Sequence, residues 1–243
     1  MPKFAGAARR LLKGSALEAP ARSAWRRLHP GIEELGARYD DLTVEVARRV
    51  LTQSSNCIDV GCHKGAILRE LVALAPNGRH HAFEPLPDLA DGLRREFPSV
   101  EVHQIALSDR AGSTTFFRIP EAPALSSLHP RDHPTAEPFE VTVARLDEVI
   151  PADFPVQFLK IDVEGFDQSV IRGARGLLLR SHPVVVFEIG HTPAETWQAL
   201  AEVGMAIYRL EDWLAHRKPF PSCAAFVDAV GPAEFFFLAA PAQ

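Results

Sequence analysis

The chain has 243 residues, of which 47% are hydrophobic and 23% charged, and its formal net charge is −5. This composition excludes a disordered chain, a coiled coil and a collagen-like repeat. No stretch reaches the roughly 18–20 apolar residues of a membrane-spanning helix, so we expect a soluble protein. Three cysteines without a CxxC spacing indicate neither a disulfide framework nor a cysteine zinc site, which favours a cytoplasmic location.

Charge is distributed unevenly along the chain. Residues 1–30, called the basic extension below, carry seven basic side chains and one acid, which gives +6 and leaves −11 for the rest. The acidic remainder argues against binding to a nucleic-acid backbone. The extension lacks the apolar region of a secretory signal, and it fits a transit peptide, a loosely ordered terminus or an amphipathic helix. We predict that it makes peripheral contact with an anionic membrane or partner.

The first half of the chain alternates between helix and strand patterns. The predicted elements are a helix at 32–53, a strand at 56–60, a helix at 64–75, a strand at 79–83, a helix at 87–97 and a strand at 100–107. Strands that alternate with helices at this spacing are typical of βαβ units. The expected architecture is therefore α/β, with a mostly parallel sheet and helices on both faces.

The middle of the chain has a different pattern. Segments 112–119 and 138–144 predict the two strands of a hairpin, and the proline-rich segment 120–137 connects them. A connection of this length is either mobile or a lid over a site, so we predict a lid at 112–144. Its candidate contacts with a substrate are Ser126, Ser127 and His129.

The alternating pattern then resumes. The predicted elements are a strand at 156–163, a helix at 166–179, a strand at 183–189, a helix at 193–203, a strand at 205–210 and a last strand at 234–238. Residues 31–243 are interpreted as one domain, because an α/β chain of this length has little room for a second. The oligomeric state is left open.

The strongest local signal is the turn from Asp59 to Gly65, which lies where a strand passes into a helix. Glycines at Gly61 and Gly65 let the backbone approach a ligand, and the helix that follows presents free N–H groups. Glu84 ends the next strand, 23 residues after Gly61. An acid at this distance accepts hydrogen bonds from ribose hydroxyls, so the pair indicates an adenosine-containing ligand.

At this point the sequence resembles the FkbM-type methyltransferases, a branch of the class I S-adenosylmethionine-dependent enzymes. The matching stretches are IDVGCHKG (58–65), AFEPLPDL (82–89), IALSDRAG (105–112), ARLDEVI (144–150), LKIDVEGFDQSVIRGA (159–174) and PVVVFEIG (183–190). The resemblance implies a Rossmann-like, seven-stranded sheet whose last strand is antiparallel. It also implies S-adenosylmethionine as cofactor and S-adenosylhomocysteine as product.

The resemblance also implies which residues form the site. The cofactor residues would be Asp59, Gly61, His63, Gly65, Glu84, Pro85, Ala106, Leu107, Asp109 and Asp162. Within this set, the glycine turn would lie beside the methionine half, Glu84 would hold the ribose, and Ala106 with Leu107 would contact adenine. The family usually has Ala-Asn where this chain has Cys62-His63, so His63 is expected to touch either the cofactor or the acceptor.

A hydroxyl acceptor benefits from a general base, and a carboxylate or histidine is the natural choice. The candidates are Asp162, Glu164, Glu188 and His191. Strand alternation places Lys160 and Asp162 on one face, so a structural ion pair between them is the alternative to catalysis by Asp162.

Ten histidines raise the question of a bound metal. His129 and the histidine four residues later are flanked by prolines, which disfavours a helix that presents ligands. An oxygen-rich Mg²⁺ site made of Asp162, Glu188 and a loop histidine is the alternative, but carboxylates near a crevice are common without metal. We expect no metal. His80 and His81 lie within a strand, where one is expected to be packed and the other exposed.

The leading hypothesis is an O-methyltransferase that acts on a sugar hydroxyl of a glycan, a glycolipid or a glycosylated natural product, as the resemblance implies. A methyltransferase acting on a polyketide, a peptide or a nitrogen atom is the nearest alternative. A nicotinamide-dependent oxidoreductase is disfavoured, because the turn is not GxGxxG and the only tyrosines, Tyr39 and Tyr208, form no Tyr-x-x-x-Lys pair. A non-catalytic cofactor-binding module is the remaining class.

Overall fold

A computed structural model describes residues 31–119, Ser126 and 135–242, and only the backbone of residues 31–33. The described chain forms a seven-stranded sheet with helices on both faces and a separate three-stranded sheet. This architecture confirms the predicted α/β class and the mostly parallel sheet. None of the helices in the described part of the chain is both long and apolar enough to span a bilayer.

The large sheet has the order β3-β2-β1-β7-β8-β10-β9. Its strands are β1 Cys57–Val60, β2 His80–Phe83, β3 Val100–His103, β7 Phe158–Ile161, β8 Val184–Glu188, β9 Met205–Tyr208 and β10 Phe236–Pro241. The pairs from β3 to β8 are parallel, and β10 runs antiparallel to both of its neighbours. The chain reverses its direction across the sheet between β1 and β7, where ligands bind in open α/β sheets.

The helices cover the two faces of this sheet. They are α1 Gly31–Val50, α2 Ala66–Leu74, α3 Pro87–Glu96, α4 Leu146–Val149, α5 Asp167–Gly173, α6 Arg175–Ser181, α7 Pro193–Ala201, α8 Leu210–Leu214 and α9 Cys223–Ala229. Helices α1, α2 and α8 share one apolar cluster, and α4 to α7 share another with α9. Ile58 and Val60 of β1 face the second cluster, whereas Cys57 faces the first, so the strand is buried on both faces.

The small sheet has the order β4-β6-β5 and consists of β4 Ala106–Leu107, β5 Gly112–Arg118 and β6 Glu137–Ala144. Strands β5 and β6 form the predicted antiparallel hairpin. Phe116, Val141 and Val143 of the hairpin pack with Leu86 and Ala106 in a small core. The hairpin therefore lies against the segment that follows β2.

Three elements differ from the sequence-based prediction. The strand predicted at 100–107 is two strands, because the chain leaves the large sheet after His103 and Ala106 pairs with Val143 instead. The helix predicted at 166–179 is divided into α5 and α6. At this junction a side chain on Gly173 would lie 2.1 Å from the carbonyl oxygen of Ser108, so the chain bends where it passes β4.

The last strand begins later than predicted, at Phe236. Glu234 forms two backbone hydrogen bonds with Gly231, so it belongs to the preceding turn.

Helices α4, α8 and α9 were not predicted, because segments this short show no clear apolar period. Both His80 and His81 are buried, contrary to the prediction that one is exposed, since helices or loops cover both faces of β2. The assignment of 31–243 to a single domain stays a prediction.

Candidate active site

A cavity of about 240 Å³ opens at the carboxyl ends of the central parallel strands. Its walls come from the loops after β1, β2 and β7, from the small sheet and from α1. The predicted site residues that line it are Gly61, His63, Glu84, Pro85, Ala106, Leu107, Ser126, Asp162 and Glu164. The predicted site residues Asp59, Gly65, Asp109, Glu188 and His191 do not line it. Ser127 and His129 lie outside the described residues, as do residues 1–30.

The glycine turn after β1 brings two loops together. Gly61 has φ +76°, and a β-carbon there would lie 1.9 Å from the carbonyl oxygen of Asp162, so no larger residue fits. Gly65 has φ +75°, and a β-carbon there would lie 2.7 Å from Leu93 and Phe97. Gly61 therefore shapes the cavity floor, whereas Gly65 allows α2 to pack against α3.

Lys160 organises the acidic side of the cavity. Its buried ammonium group lies 3.3 Å from Asp162 and 3.5 Å from Asp59, and it donates a hydrogen bond to the carbonyl oxygen of Gly61 at 3.1 Å. Burial opposes the charge, but the two carboxylates raise the pKa of Lys160, so it stays protonated. This geometry confirms the ion pair between Lys160 and Asp162 that strand alternation predicted.

Asp59 is almost fully buried beneath the glycine turn, and it reaches the cavity only through Lys160. Burial raises the pKa of Asp59, while Lys160 opposes that shift. Asp59 thus positions Lys160 and the turn that Lys160 binds. The predicted direct contact of Asp59 with a cofactor stays a prediction.

Glu84 holds two loops through its carboxylate. Oε2 accepts the backbone N–H of His63 at 2.9 Å, and Oε1 accepts the N–H of Leu86 at 2.9 Å. The side chain is 5% exposed, and burial raises the pKa of Glu84 to about 7, although the two N–H groups oppose the rise. Glu84 is therefore fixed in one orientation and titrates near neutral pH.

His63 presents an imidazole to the cavity. Its backbone is left-handed, with φ 49°, in the turn that also places its N–H on Glu84. Nε2 of His63 is buried and has no hydrogen-bond partner. Burial lowers the pKa of His63, and the positive charges of Lys64 and Lys160 add to this effect. The ring is therefore neutral at pH 7 and can accept a proton.

The structure adds Asp40 to the cavity wall, a residue that the sequence analysis missed. It projects from α1, and its pKa is raised by partial burial, against the effect of Lys160. Acidic residues on the polar face of an amphipathic helix are usually solvated, so the sequence contained no signal that singled out Asp40. Its position brings a further carboxylate near the ends of β1 and β7.

The opposite wall of the cavity is apolar. Ala106 and Leu107 are buried in β4, and Phe116 of the hairpin lies beside them. Asp109, just beyond β4, accepts a hydrogen bond from its neighbour Ser108 and lies outside the lining. The Oγ of Ser126 accepts the N–H of Ile119 at 3.0 Å, a bond that holds Ser126 against the cavity.

Two of the predicted catalytic residues lie away from the lining. Glu188 is buried at the end of β8, where it pairs in register with Phe236 of β10. The ring of His191 lies against Gly165, 3.4 Å from the position that a β-carbon there would take. Neither residue shares the cavity with Asp162 and Glu164.

These residues fit an adenosine-containing, cationic ligand. Glu84 offers a fixed carboxylate for hydroxyl donors, the wall from Ala106 to Phe116 suits an aromatic base, and Asp162 gives negative charge to the opposite side. The buried Nε2 of His63 is a polar atom left for a bound molecule. With the glycine turn and the sheet order, these features are those of an α/β protein that binds an adenosine-containing ligand at the switch point of its sheet.

The chain matches the model of the methyltransferase FkbM domain over residues 59–219. It therefore belongs to the FkbM methyltransferase family, whose cofactor is of the S-adenosylmethionine type. No curated protein matches the chain.

Three of the solved structures that match the chain are methyltransferases. Methyltransferase FkbM from Methylobacillus flagellatus is 15% identical, with a TM-score of 0.49, over 78% of this chain and 44% of that one. The chain thus spans less than half of that structure. A TehB-like SAM-dependent methyltransferase from Corynebacterium glutamicum is 14% identical, with a TM-score of 0.45, over 88% and 100% of the two chains. Ribosomal protein L11 methylase from Lactobacillus delbrueckii is 12% identical, with a TM-score of 0.47, over 82% and 75%.

Proposed function

We propose that the protein transfers a methyl group from S-adenosylmethionine to a sugar hydroxyl of a glycan, a glycolipid or a glycosylated natural product. The observation that carries this proposal is the neutral imidazole of His63, a residue that lines the same cavity as Glu84 and Asp162 and whose buried Nε2 has no hydrogen-bond partner. Such a group suits a neutral acceptor that must lose a proton. The sugar class rests on the family resemblance.

The cofactor supplies a methyl group already activated on a sulfonium sulfur, so the protein mainly has to position the acceptor. We propose that Glu84 accepts hydrogen bonds from the two ribose hydroxyls, and that Ala106 and Leu107 pack against the adenine. Asp162 and Glu164 would face the methionine end and the acceptor. The ion pair between Lys160 and Asp162 keeps that carboxylate in place.

His63 is the proposed general base. With its proton on Nδ1, the ring has a lone pair on Nε2, which takes the acceptor proton as the new O–C bond forms. The carboxylate of Asp162 is already engaged in the ion pair with Lys160 at 3.3 Å, which makes it a less suitable base than His63. Glu164, Glu188 and His191 are the other candidates, of which Glu164 lines the cavity.

The base is tested with His63→Asn, since asparagine tolerates the left-handed backbone and keeps the N–H bond to Glu84. We expect turnover to fall by about 10²–10⁴-fold, while affinity for S-adenosylhomocysteine changes by less than about threefold. Asp162→Asn and Glu188→Gln are measured in parallel. Undiminished turnover in His63→Asn, with loss in one of the others, would transfer the role to that residue.

The reaction class is tested by calorimetry with S-adenosylhomocysteine and NAD side by side. We expect S-adenosylhomocysteine alone to bind, and binding of NAD alone would refute the proposal in favour of an oxidoreductase. Binding without turnover on any acceptor would indicate a non-catalytic module.

The acceptor class is tested by comparing the masses of glycans and metabolites between a deletion strain and its parent. A methyl group lost from a polyketide, a peptide or an amine, rather than from a sugar, would favour the alternative acceptor classes.

We further propose that transfer needs no Mg²⁺. The Mg²⁺ alternative requires Asp162 and Glu188 to share a site, but Glu188 does not line the cavity and Asp162 is bound to Lys160. The test compares turnover in metal-free buffer with turnover in the same buffer containing Mg²⁺. Higher turnover with Mg²⁺ would refute the proposal.

The basic extension lies outside the described residues, and its role is also a proposal. Its +6 charge supports docking on an anionic membrane or partner that carries the acceptor. The test is flotation with phosphatidylserine-containing liposomes, comparing the full chain with a chain that lacks residues 1–30. Equal flotation and equal cellular activity would show that the extension plays no part in docking.

A further inference from the structure

A second cluster of potential ligand side chains lies at the edge of the large sheet, outside the cavity. In the parallel register of β2 and β3, His81 is paired with Glu101 and Phe83 with His103. Paired positions, and positions two apart on a strand, share a face of a sheet. His81, Glu101 and His103 are therefore brought together on one face of the sheet, across its edge strand β3 and the neighbouring β2, although 22 residues separate the two histidines in sequence.

The donor atoms of the three side chains are close to one another. Nδ1 of His81 lies 3.0 Å from Nε2 of His103, and Glu101 oxygens lie 3.6 Å from His81 and 3.7 Å from His103. In a tetrahedral zinc site with bonds of about 2.0–2.1 Å, neighbouring donor atoms are about 3.3 Å apart. The three separations bracket this distance, and each residue offers an atom that zinc prefers.

The surroundings hold the two imidazoles in place. The ring of His103 is stacked on Phe83 at 4.5 Å, and the ring of His81 meets the edge of Phe154 at 4.7 Å. His81 and His103 are 7% and 16% exposed in their side chains, whereas Glu101 is 67% exposed. Two fixed donors and one mobile carboxylate at the surface give an ion a route of entry and leave a fourth position for water.

The basic groups beside the cluster are engaged elsewhere. Arg79 lies over the ring of Phe154 at 4.7 Å, and Arg94 donates to Asp91 at 2.8 Å and to the carbonyl of Val102 at 3.3 Å. Neither arginine makes a hydrogen bond to Glu101 in the described structure. The carboxylate of Glu101 is thus available to a cation.

We propose that His81, Glu101 and His103 form a zinc site with one open position. None of the three lines the methyltransferase cavity, so the ion would be structural rather than catalytic. It would join the edge strand β3 to β2. The carbonyl of His103 accepts the backbone N–H of Glu84 at 3.1 Å, so the same ion would brace the strand end that carries Glu84.

The test uses the untagged full chain, stripped of metal with a chelator and titrated with Zn²⁺ against a chromophoric competitor. His103→Gln and Glu101→Gln are the informative variants, because these two side chains are less buried than His81. His216→Asn and Glu140→Gln are matched controls, since both positions are exposed and lie outside the cluster. Asparagine at 216 suits the left-handed backbone of that position.

We expect the native chain to bind one more equivalent of Zn²⁺ than His103→Gln, with affinity at that site reduced at least tenfold in both informative variants. Zn²⁺ should raise the midpoint of thermal unfolding of the native chain and both controls, but not of His103→Gln. Co²⁺ at the same site should give the visible absorption of a four-coordinate complex, and His103→Gln should lose it. Equal stoichiometry and affinity in the native chain and His103→Gln, or no competition with the chelator, would overturn the proposal.

Discussion

Replacing Glu84 by glutamine should change how the stability of the ligand-free protein depends on pH. Burial raises the pKa of Glu84 from its usual 4.5 to about 7, so the folded state holds a proton that the unfolded state releases. Between these two values the native protein binds more protons than the unfolded chain, and its free energy of unfolding therefore falls as pH rises. Glutamine has the shape of the protonated acid but does not titrate.

The size of this change in stability follows from the pKa of Glu84 in the unfolded and folded states. Each unit by which the pKa differs between the two states corresponds to about 1.4 kcal/mol. From pH 5 to pH 8, the free energy of unfolding of the native protein should therefore fall by about 2 to 3 kcal/mol relative to that of Glu84→Gln. The amide of glutamine can accept only one of the two N–H groups, from His63 and Leu86, that Glu84 binds. This loss is the same at every pH, so it cancels when the two proteins are compared across the range.

The assay is urea unfolding of both proteins at half-unit steps from pH 5 to pH 8.5, without cofactor. The other titrating groups contribute equally to the pH dependence of both proteins, so they cancel when the two free energies of unfolding are subtracted. Glu140→Gln is the control, because Glu140 is exposed on β6, and its difference from the native protein should not vary with pH. A difference between native and Glu84→Gln that changes by less than about 1 kcal/mol would refute the reasoning that Glu84 is protonated by burial.

Other substitutions test the packing of the site. Gly61→Ala should cost more than about 4 kcal/mol or abolish soluble expression, because its β-carbon would lie 1.9 Å from the carbonyl oxygen of Asp162 at a left-handed φ. Gly92→Ala, in open space on α3, should instead gain about 0.5–1 kcal/mol in urea unfolding, and a loss there would contradict the helix propensity argument. Lys160→Met should cost about 3–5 kcal/mol, because it leaves the buried carboxylate of Asp59 uncompensated. Adding Asp59→Asn should recover part of that loss, and a double variant no more stable than Lys160→Met would refute the pairing.

The sequence was sufficient to predict the elements that carry strong periodic patterns. The βαβ units through β3 and the antiparallel hairpin were predicted to within a few residues, because apolar spacing, glycine and proline mark their ends. The split at β4 was not predictable, since Ala106 and Leu107 look the same whether they continue β3 or pair with β6. The break between α5 and α6 depends on the close approach of Gly173 to Ser108, which is a tertiary contact.

The sequence predicted the cavity residues that belong to a motif and also follow the end of a strand. Gly61, His63, Glu84 and Asp162 each follow a central parallel strand, and all four line the cavity. Asp40 was missed because it comes from a helix outside the motif region, and no local pattern separates it from solvated acids. The cluster at the sheet edge was missed for a similar reason, since the register of two strands places its members together.

His63 and Glu84, two residues with shifted pKa values at the centre of the site, are joined through the backbone of His63. The backbone N–H of His63 donates to Glu84, while burial lowers the pKa of the imidazole and raises that of the carboxyl. Each shift favours the neutral form, so the cavity is less highly charged near pH 7 than its residue types suggest. A cationic cofactor bound as proposed would favour the ionised form of Glu84 and would further lower the pKa of His63. Under the proposed mechanism, the sulfonium charge would act on Glu84 and the acceptor proton on His63, so one small cavity would bind a cation and still contain a base.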